Sequence, residues 1–248
     1  MSDTVTTNGW TATLVEAGIL PMAGRMLAPA GQLPEHLDVP SNVLVLRGHG
    51  RTILVDTAAG NRSSEWDGAE EDLNGALEAA GVDISAVDTV ILTHLDFDHA
   101  GGVEIDGEPA FGGARVVVSR AAAKWAESSQ ELSAQAVQTM AREHLLDVVD
   151  PGQEIAHGIR LADAPGHRVG HCLVDIAGGA AYLADVIHHP SHVANLSWDR
   201  EFDSDPELAL ETRTRILAAT AGIPVACSHI AGWGRIEPAA EGLVWQPA

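Results

Sequence analysis

Thr93-His94-Leu95-Asp96-Phe97-Asp98-His99-Ala100-Gly101-Gly102 is the stretch on which the reading of this chain turns. Two histidines and two aspartates fall within six residues, directly after the apolar run Val90-Ile91-Leu92. Imidazole and carboxylate are ligands of zinc- and iron-like dications. A strand that ends in such a cluster delivers several ligands to one point at the lip of a sheet. The competing reading is a polar loop with incidental histidines. Against it, ligand-type residues recur in matching contexts: Ala164-Pro165-Gly166-His167, Tyr182-Leu183-Ala184-Asp185 and Ala226-Cys227-Ser228-His229. Each places an Asp or His after a short apolar, β-prone run, as a site built from strand-end loops requires.

Around these pieces the chain reads as mixed α and β. Val43–Leu46 and Thr52–Val55 are strand candidates joined through Gly48-His49-Gly50. Leu73, Ala76, Leu77 and Ala80 fall at i, i+3, i+4, i+7 before Gly81, an amphipathic helix with its stop. Val87–Thr93 and Ala114–Val118 are further strands. A helix is expected from about Glu131, with Val137, Met140, Ala141 and His144 at helical spacing. Strands follow near Ile159–Ala162, Cys172–Ile176, Ala181–Ala184, Val225–Cys227 and Gly242–Trp245. Asp205 and Pro206 suit the cap and first turn of a helix whose buried stripe would be Leu208, Thr212, Ile216 and Ala219. Ile19–Met22 through Ala28–Gly31 looks too irregular for a strand. It is either a loop covering the substrate or a partly buried linker. Periodicity alone supports mixed α and β around one core.

The 248 residues hold 14 basic and 35 acidic side chains, a formal net charge of −21, and Lys124 is the only lysine. Such a surface repels nucleic acid and anionic lipid, although solubility alone would also explain it. The expected partner is therefore a small-molecule substrate, with neither nucleic acid nor membrane involved. A homodimer stays open. No apolar run is long enough to span a bilayer, and residues 1–8 lack a secretory pattern. Both observations favour a cytoplasmic protein. Cys172 and Cys227 lie in apolar stretches and read as reduced core thiols. On one strand, Cys227 and His229 would face the same side.

In their order, the four ligand-bearing pieces resemble the metallo-β-lactamase-fold hydrolase superfamily. Its pattern is His-x-His-x-Asp-His, then a His after Pro-Gly, a bridging Asp and a late His. Ile53-Leu54-Val55-Asp56-Thr57 is similar to the family's second strand and structural Asp. Asp185-Val186-Ile187-His188-His189-Pro190, with Trp198 later, looks like the lactonase and methyl parathion hydrolase-like branch. The resemblance covers nearly the whole chain. It implies an α/β, four-layer αββα fold, two packed mixed sheets flanked by helices, in one domain over residues 1–248. It also implies two divalent metal ions. His94, Asp96 and His167 would hold one, Asp98, His99 and His229 the other, and Asp185 would bridge them.

The implied reaction is hydrolysis of a small uncharged ester, foremost a lactone, by metal-bound hydroxide. Asp98 or His188 would pass a proton to the leaving oxygen as catalytic residues. His188 stands where lactonases of the family commonly place a tyrosine. The alternatives are a phosphotriesterase of the methyl parathion hydrolase type, an iron-dependent oxidoreductase of the same fold, and a silent metal-binding protein. Asp96 departs from the pattern, which usually has a second histidine there. As a ligand it would make the cluster less positive by one unit. It opens iron or manganese beside the zinc expected of the family. His171 is expected to support the site. His36, His49, His144, His157 and His192 have no motif context.

Overall fold

Alternation along the central strands decides how the layers stack. In the computed structural model, which describes residues 3–60, 64, 66–198, 201–240 and 242–248, Val43 and Val45 join one buried cluster while Leu44 and Leu46 join another. The same split separates Leu54 from Ile53 and Val55, Val90 from Ile91, and Val116 and Val118 from Val117. Successive strand side chains point to opposite faces, so both faces of this sheet are covered.

The sheet runs in the order Thr4–Thr7, Trp10–Ala23, His36–Gly48, Arg51–Val55, Thr89–Ile91, Arg115–Ser119, Leu146–Val149, with Glu70–Glu71 pairing onto Trp10–Ala23. A second sheet runs Glu154–Ala156, Ile159–Asp163, Cys172–Ile176, Ala180–Tyr182, Pro224–Cys227, Ile230–Ala239, Gly242–Pro247. Between them lie Trp10, Leu44, Ile53 and Val117 from the first, and Leu161, Val174, Tyr182 and Trp233 from the second. Helices Leu73–Ala79, Arg120–Ser128 and Leu132–Arg142 cover the outer face of the first sheet through Leu77, Ala126, Val137 and Met140. Helix Pro206–Ala219 covers the second through Ile216 and Leu217. Parallel neighbours, such as Arg51–Val55 with Thr89–Ile91, lie beside antiparallel ones. This is the mixed-sheet αββα arrangement that the resemblance implied. No described helix is long and apolar enough to cross a membrane.

Several local expectations change. Ile19–Met22 belongs to the long strand Trp10–Ala23, paired through Ala23 and His36. Its punctuation by Gly18 and Pro21 hides an alternation in which Leu20 and Met22 are buried and Ile19 is not. A register shift between Glu16 and Gly18 absorbs the irregularity. Helix Pro206–Ala219 starts at the expected cap, Asp205 accepting from the Leu208 N–H. Leu208 and Ala219 face outward, and the buried stripe is Ala209, Thr212, Arg213, Ile216 and Leu217. Helix Leu132–Arg142 stops before His144, which takes a left-handed φ of 61°. The strand expected over Val87–Thr93 pairs only across Thr89–Ile91, and the one expected to reach Ala184 ends at Tyr182.

Candidate metal centre

The loop after Thr89–Ile91 is shaped from behind by Asp56. This residue ends strand Arg51–Val55 with a φ of 61°. Its Oδ1 accepts the Thr93 N–H and its Oδ2 the Thr93 hydroxyl, both at 2.8 Å. Oδ2 also lies 2.8 Å from His99 Nδ1. The short helix Phe97–Ala100 then carries Asp98 and His99, while Asp96 at its N-cap makes no side-chain capping bond. Its carboxylate turns Oδ2 toward His94 and His167.

His167 follows Gly166, whose φ is 119°. A Cβ at Gly166 would come within 2.3 Å of the Ala209 backbone nitrogen, so the close approach of this loop to helix Pro206–Ala219 requires glycine. Asp185 sits in a 3-10 turn after Ala180–Tyr182. His229 lies two residues beyond Pro224–Cys227, its Nδ1 3.0 Å from the Pro40 carbonyl oxygen. The strand ends at Cys227 and therefore does not carry Cys227 and His229 on one face. Cys227 packs into the apolar layer under the helix, and burial drives its thiol pKa well up.

All seven sequence-named ligand candidates converge. Asp185 Oδ2 lies 3.3 Å from His99 Nε2, 3.4 Å from His229 Nε2, 3.5 Å from His167 Nε2 and 4.0 Å from His94 Nε2. Asp98 Oδ2 is 3.4 Å from His229 Nε2 and 3.7 Å from His99 Nε2. Asp96 Oδ2 is 3.8 Å from His94 Nε2 and 3.9 Å from His167 Nε2. His94 Nε2, His99 Nε2, His167 Nε2 and Asp185 Oδ1 are buried without a hydrogen-bond partner. Leaving such atoms unmade costs about 1–3 kcal/mol each. Bonds of about 2.0–2.2 Å from a dication to nitrogen or oxygen would place neighbouring ligands roughly 3–4 Å apart, which is the spacing seen. The donor set thus fits metal ions. The groups that could hold them are His94, Asp96 and His167, and Asp98, His99 and His229, with Asp185 between.

The electrostatics match a site that exchanges protons for cations. Burial pulls the His99 imidazole down, but Asp185, Asp98 and Asp56 more than reverse this and raise it well above the ordinary value. At His229 burial likewise opposes, and Asp185 and Asp98 carry the pKa up to about 9. Burial would raise Asp185, yet His99, His229 and His188 hold it well below the carboxylate range. Burial pushes Asp96 up. His94 is driven well down by burial and by His99 beside it.

His188 lies at the centre too. Its Nε2 is 3.1 Å from Asp185 Oδ2, and its ring stacks on His229 with centroids 5.5 Å apart. With His167 and Asp185 it forms a further group of ligand-type atoms. His171 supports the site as expected. Its Nδ1 is 2.8 Å from the Ala164 carbonyl oxygen and its Nε2 accepts the Asp185 N–H. Burial lowers its pKa to about 3. His192 is not incidental: its Nε2 lies 2.7 Å from the Leu27 carbonyl oxygen and its Nδ1 accepts the His188 N–H.

Three residues escaped the sequence reading. Arg168 Nε donates to Asp96 Oδ1 at 2.8 Å. This sets a positive charge beside the negative one that Asp96 brings to the cluster. Asp203 lies 3.4 Å from His167 Nδ1 and accepts from Arg213 at 2.7 Å. Arg213 lies off the stripe expected from the sequence, and nothing in the sequence marks Asp203.

Above the cluster opens a cavity of about 570 Å³. Leu20, Met22, Trp66, Phe97, Leu132 and Phe202 form its walls, and Asp98, Asp185, His188 and His229 its floor. Trp66 stacks near Phe97 at 6.4 Å between ring centroids. Gln130, Glu131, Ser133 and Arg168 line the cavity as well, so apolar and polar groups share its surface, a combination small-molecule sites use for seating and orientation.

Residues 36–229 match the family model of the metallo-beta-lactamase superfamily, and the chain belongs to that superfamily. Among solved structures it is similar to AidC, described as a dizinc quorum-quenching lactonase in complex with a product (TM-score 0.86, 20% identity, covering 99% of this chain and 96% of that one). It is also similar to AbOPH, a hydrolase in the beta lactamase superfamily (TM-score 0.83, 22% identity, 100% and 98%). A third is a probable metal-dependent hydrolase from Staphylococcus aureus (TM-score 0.77, 15% identity, 98% and 99%). At these identities the likeness is one of fold. No curated protein sequence matches the chain.

Proposed function

We propose that this chain is a dinuclear metal-dependent hydrolase of a small uncharged ester, foremost a lactone. One observation carries the reading: buried imidazole nitrogens without hydrogen-bond partners surround Asp185, which lines a cavity that Leu20, Met22, Trp66 and Phe202 also line. His94, Asp96 and His167 would hold one ion, Asp98, His99 and His229 the other, with Asp185 shared. Zinc is the family expectation, and the structural likeness to a dizinc lactonase supports it. When bound, such a pair lowers the pKa of water toward neutrality and polarises a carbonyl oxygen.

The chain's own residues supply the rest. Asp56 fixes His99 so that Nε2 faces the centre. Leu20, Met22, Trp66 and Phe202 exclude water and seat an apolar group. His188, which lines the cavity, would give a proton to the departing alkoxide, with Asp98 as the second candidate. Phosphotriester hydrolysis is the runner-up, because the same centre and cavity would serve it. The experiment is elemental analysis of purified protein combined with a panel of lactones, aryl esters and phosphotriesters. Two ions per chain and metal-dependent lactone turnover are expected. Turnover that survives metal removal, or at most one ion after growth in metal-replete medium, refutes the reading.

A further inference from the structure

Asp96 stands where the family pattern carries a histidine, and Arg168 is the residue that answers it. Arg168 Nε donates to Asp96 Oδ1 at 2.8 Å. Its Nη1 donates to the carbonyl oxygen of His167, at 3.1 Å, and to that of Phe202. The guanidinium is thus held by two backbone carbonyls as well as by the carboxylate. Because Arg168 directly follows His167, its backbone is fixed by a neighbouring ligand candidate. The second carboxylate oxygen, Oδ2, is left facing His94 Nε2 and His167 Nε2 at 3.8 and 3.9 Å.

We propose that Arg168 is a positioning residue for the site formed by His94, Asp96 and His167. It clamps one oxygen of Asp96 so that the other alone is presented, and it makes the Asp96–Arg168 pair a net-neutral replacement for an imidazole. This rests on the reading of Asp96 as a metal ligand.

Two effects of Arg168 compete. Its cation repels a dication nearby, and its hydrogen bond orients the carboxylate that attracts one. Beside Asp96 the pair's charges largely cancel at the ion, and orientation remains. Loss of such an outer-shell partner costs about 10–100-fold in metal affinity. An ordinary exposed ion pair would contribute little. Here, however, the Asp96 side chain is only 25% exposed and Arg168 is anchored independently of it. Beside a histidine at position 96 there is no carboxylate to orient, and only repulsion remains. The sign of the Arg168 effect must therefore depend on residue 96.

The test is zinc stoichiometry by elemental analysis and zinc affinity by chelator competition, on the full chain. The variants are Arg168→Gln, Asp96→His, Asp96→Ala and the double variant Asp96→His/Arg168→Gln. Arg168→Gln is expected to weaken the more labile zinc ion by about 10–100-fold. In the Asp96→His background the same change is expected to tighten it. A misfolded protein cannot bind more tightly than its parent, so the second comparison stands even if Arg168→Gln alone folds poorly. Native or tighter zinc binding by Arg168→Gln overturns the clamp. So does an equal weakening in both backgrounds, which is what a merely structural arginine would give. If Asp96→Ala keeps two tightly held ions, the ligand reading of Asp96 falls and the clamp with it. If Asp96→Ala loses one ion while Arg168→Gln matches the native protein, the clamp alone falls.

Discussion

Asp56 Oδ2 lies 2.8 Å from His99 Nδ1, and this contact determines which nitrogen His99 turns to the centre. The same carboxylate holds the Thr93 N–H and hydroxyl at the end of the preceding strand. A residue fixed at the end of one interior strand therefore shapes the loop that carries four ligand candidates. Asp56→Ala should lower zinc affinity by about 10–100-fold and destabilise the metal-free protein by about 1–3 kcal/mol through the abandoned Thr93 N–H. Chelator competition and denaturant unfolding measure the two effects separately. Unchanged zinc affinity would show that His99 needs no such support.

The pH dependence of the metal-free protein follows from His229 and His99. His229 has a folded pKa raised to about 9, against an ordinary value of about 6.5. A raised value means that the proton is held more tightly in the folded state. The resulting stability is complete below about pH 6.5 and disappears as pH rises through about 9. His99, raised in the same direction, adds to it. Metal-free protein should accordingly melt several degrees lower at pH 9.5 than at pH 6.5. Zinc-loaded protein should not show this fall, since the ions take the place of the protons. Calorimetry at both pH values, with and without zinc, decides the matter. A metal-free protein that melts at one temperature throughout would contradict the assignment.

Gly166→Ala tests whether the loop bearing His167 depends on its approach to helix Pro206–Ala219. The added Cβ would fall 2.3 Å from the Ala209 nitrogen and 2.4 Å from its Cα, at a φ of 119°. A stability loss of about 1–3 kcal/mol is expected, together with weaker zinc retention because His167 is displaced. Thermal unfolding with and without zinc would show whether the loss is larger in the zinc-loaded form. A variant as stable as the parent, with zinc retained, would mean that the loop relaxes freely.

Arg213 and Asp203 form an ion pair whose side chains are 2% and 0% exposed. Removing one charge from such a pair costs about 3–5 kcal/mol, because the other stays buried alone. Arg213→Met should therefore destabilise the protein far more than Arg215→Met, which alters an exposed side chain on the same helix. Denaturant midpoints of the two variants provide the comparison, and similar midpoints would count against the pair.

His188→Gln separates proton transfer from ligation. With His188 as the proton donor, kcat for a lactone should fall by about 100-fold or more, while two ions per chain remain. Loss of an ion in elemental analysis would instead make His188 a ligand, a role its 3.1 Å approach to Asp185 also allows.

The residues that gather at the centre were legible in the sequence because ligand chemistry is local. His94, Asp96, Asp98 and His99 fall within six residues, and His167, Asp185 and His229 each follow a short apolar run. The unbroken apolar runs Val43–Leu46 and Val116–Val118 are likewise visible in the order of the residues, as a strand covered on both faces requires. Other features had no such signature. Gly18 and Pro21 masked the strand Trp10–Ala23, since pairing with His36–Gly48 overrode local propensity. The cap at Asp205 was readable, but packing against the second sheet decided which face of the last helix was buried. Arg168 meets Asp96 across 72 residues, and Asp203 reaches His167 across 36. A charge that Asp96 subtracts on paper is returned by an arginine whose rotamer depends on the carbonyls of His167 and Phe202. Periodicity and residue type determine which groups a strand or helix presents. Only packing of the two sheets and their loops decides which of those groups touch, because such contacts join parts of the chain with no local relation to one another.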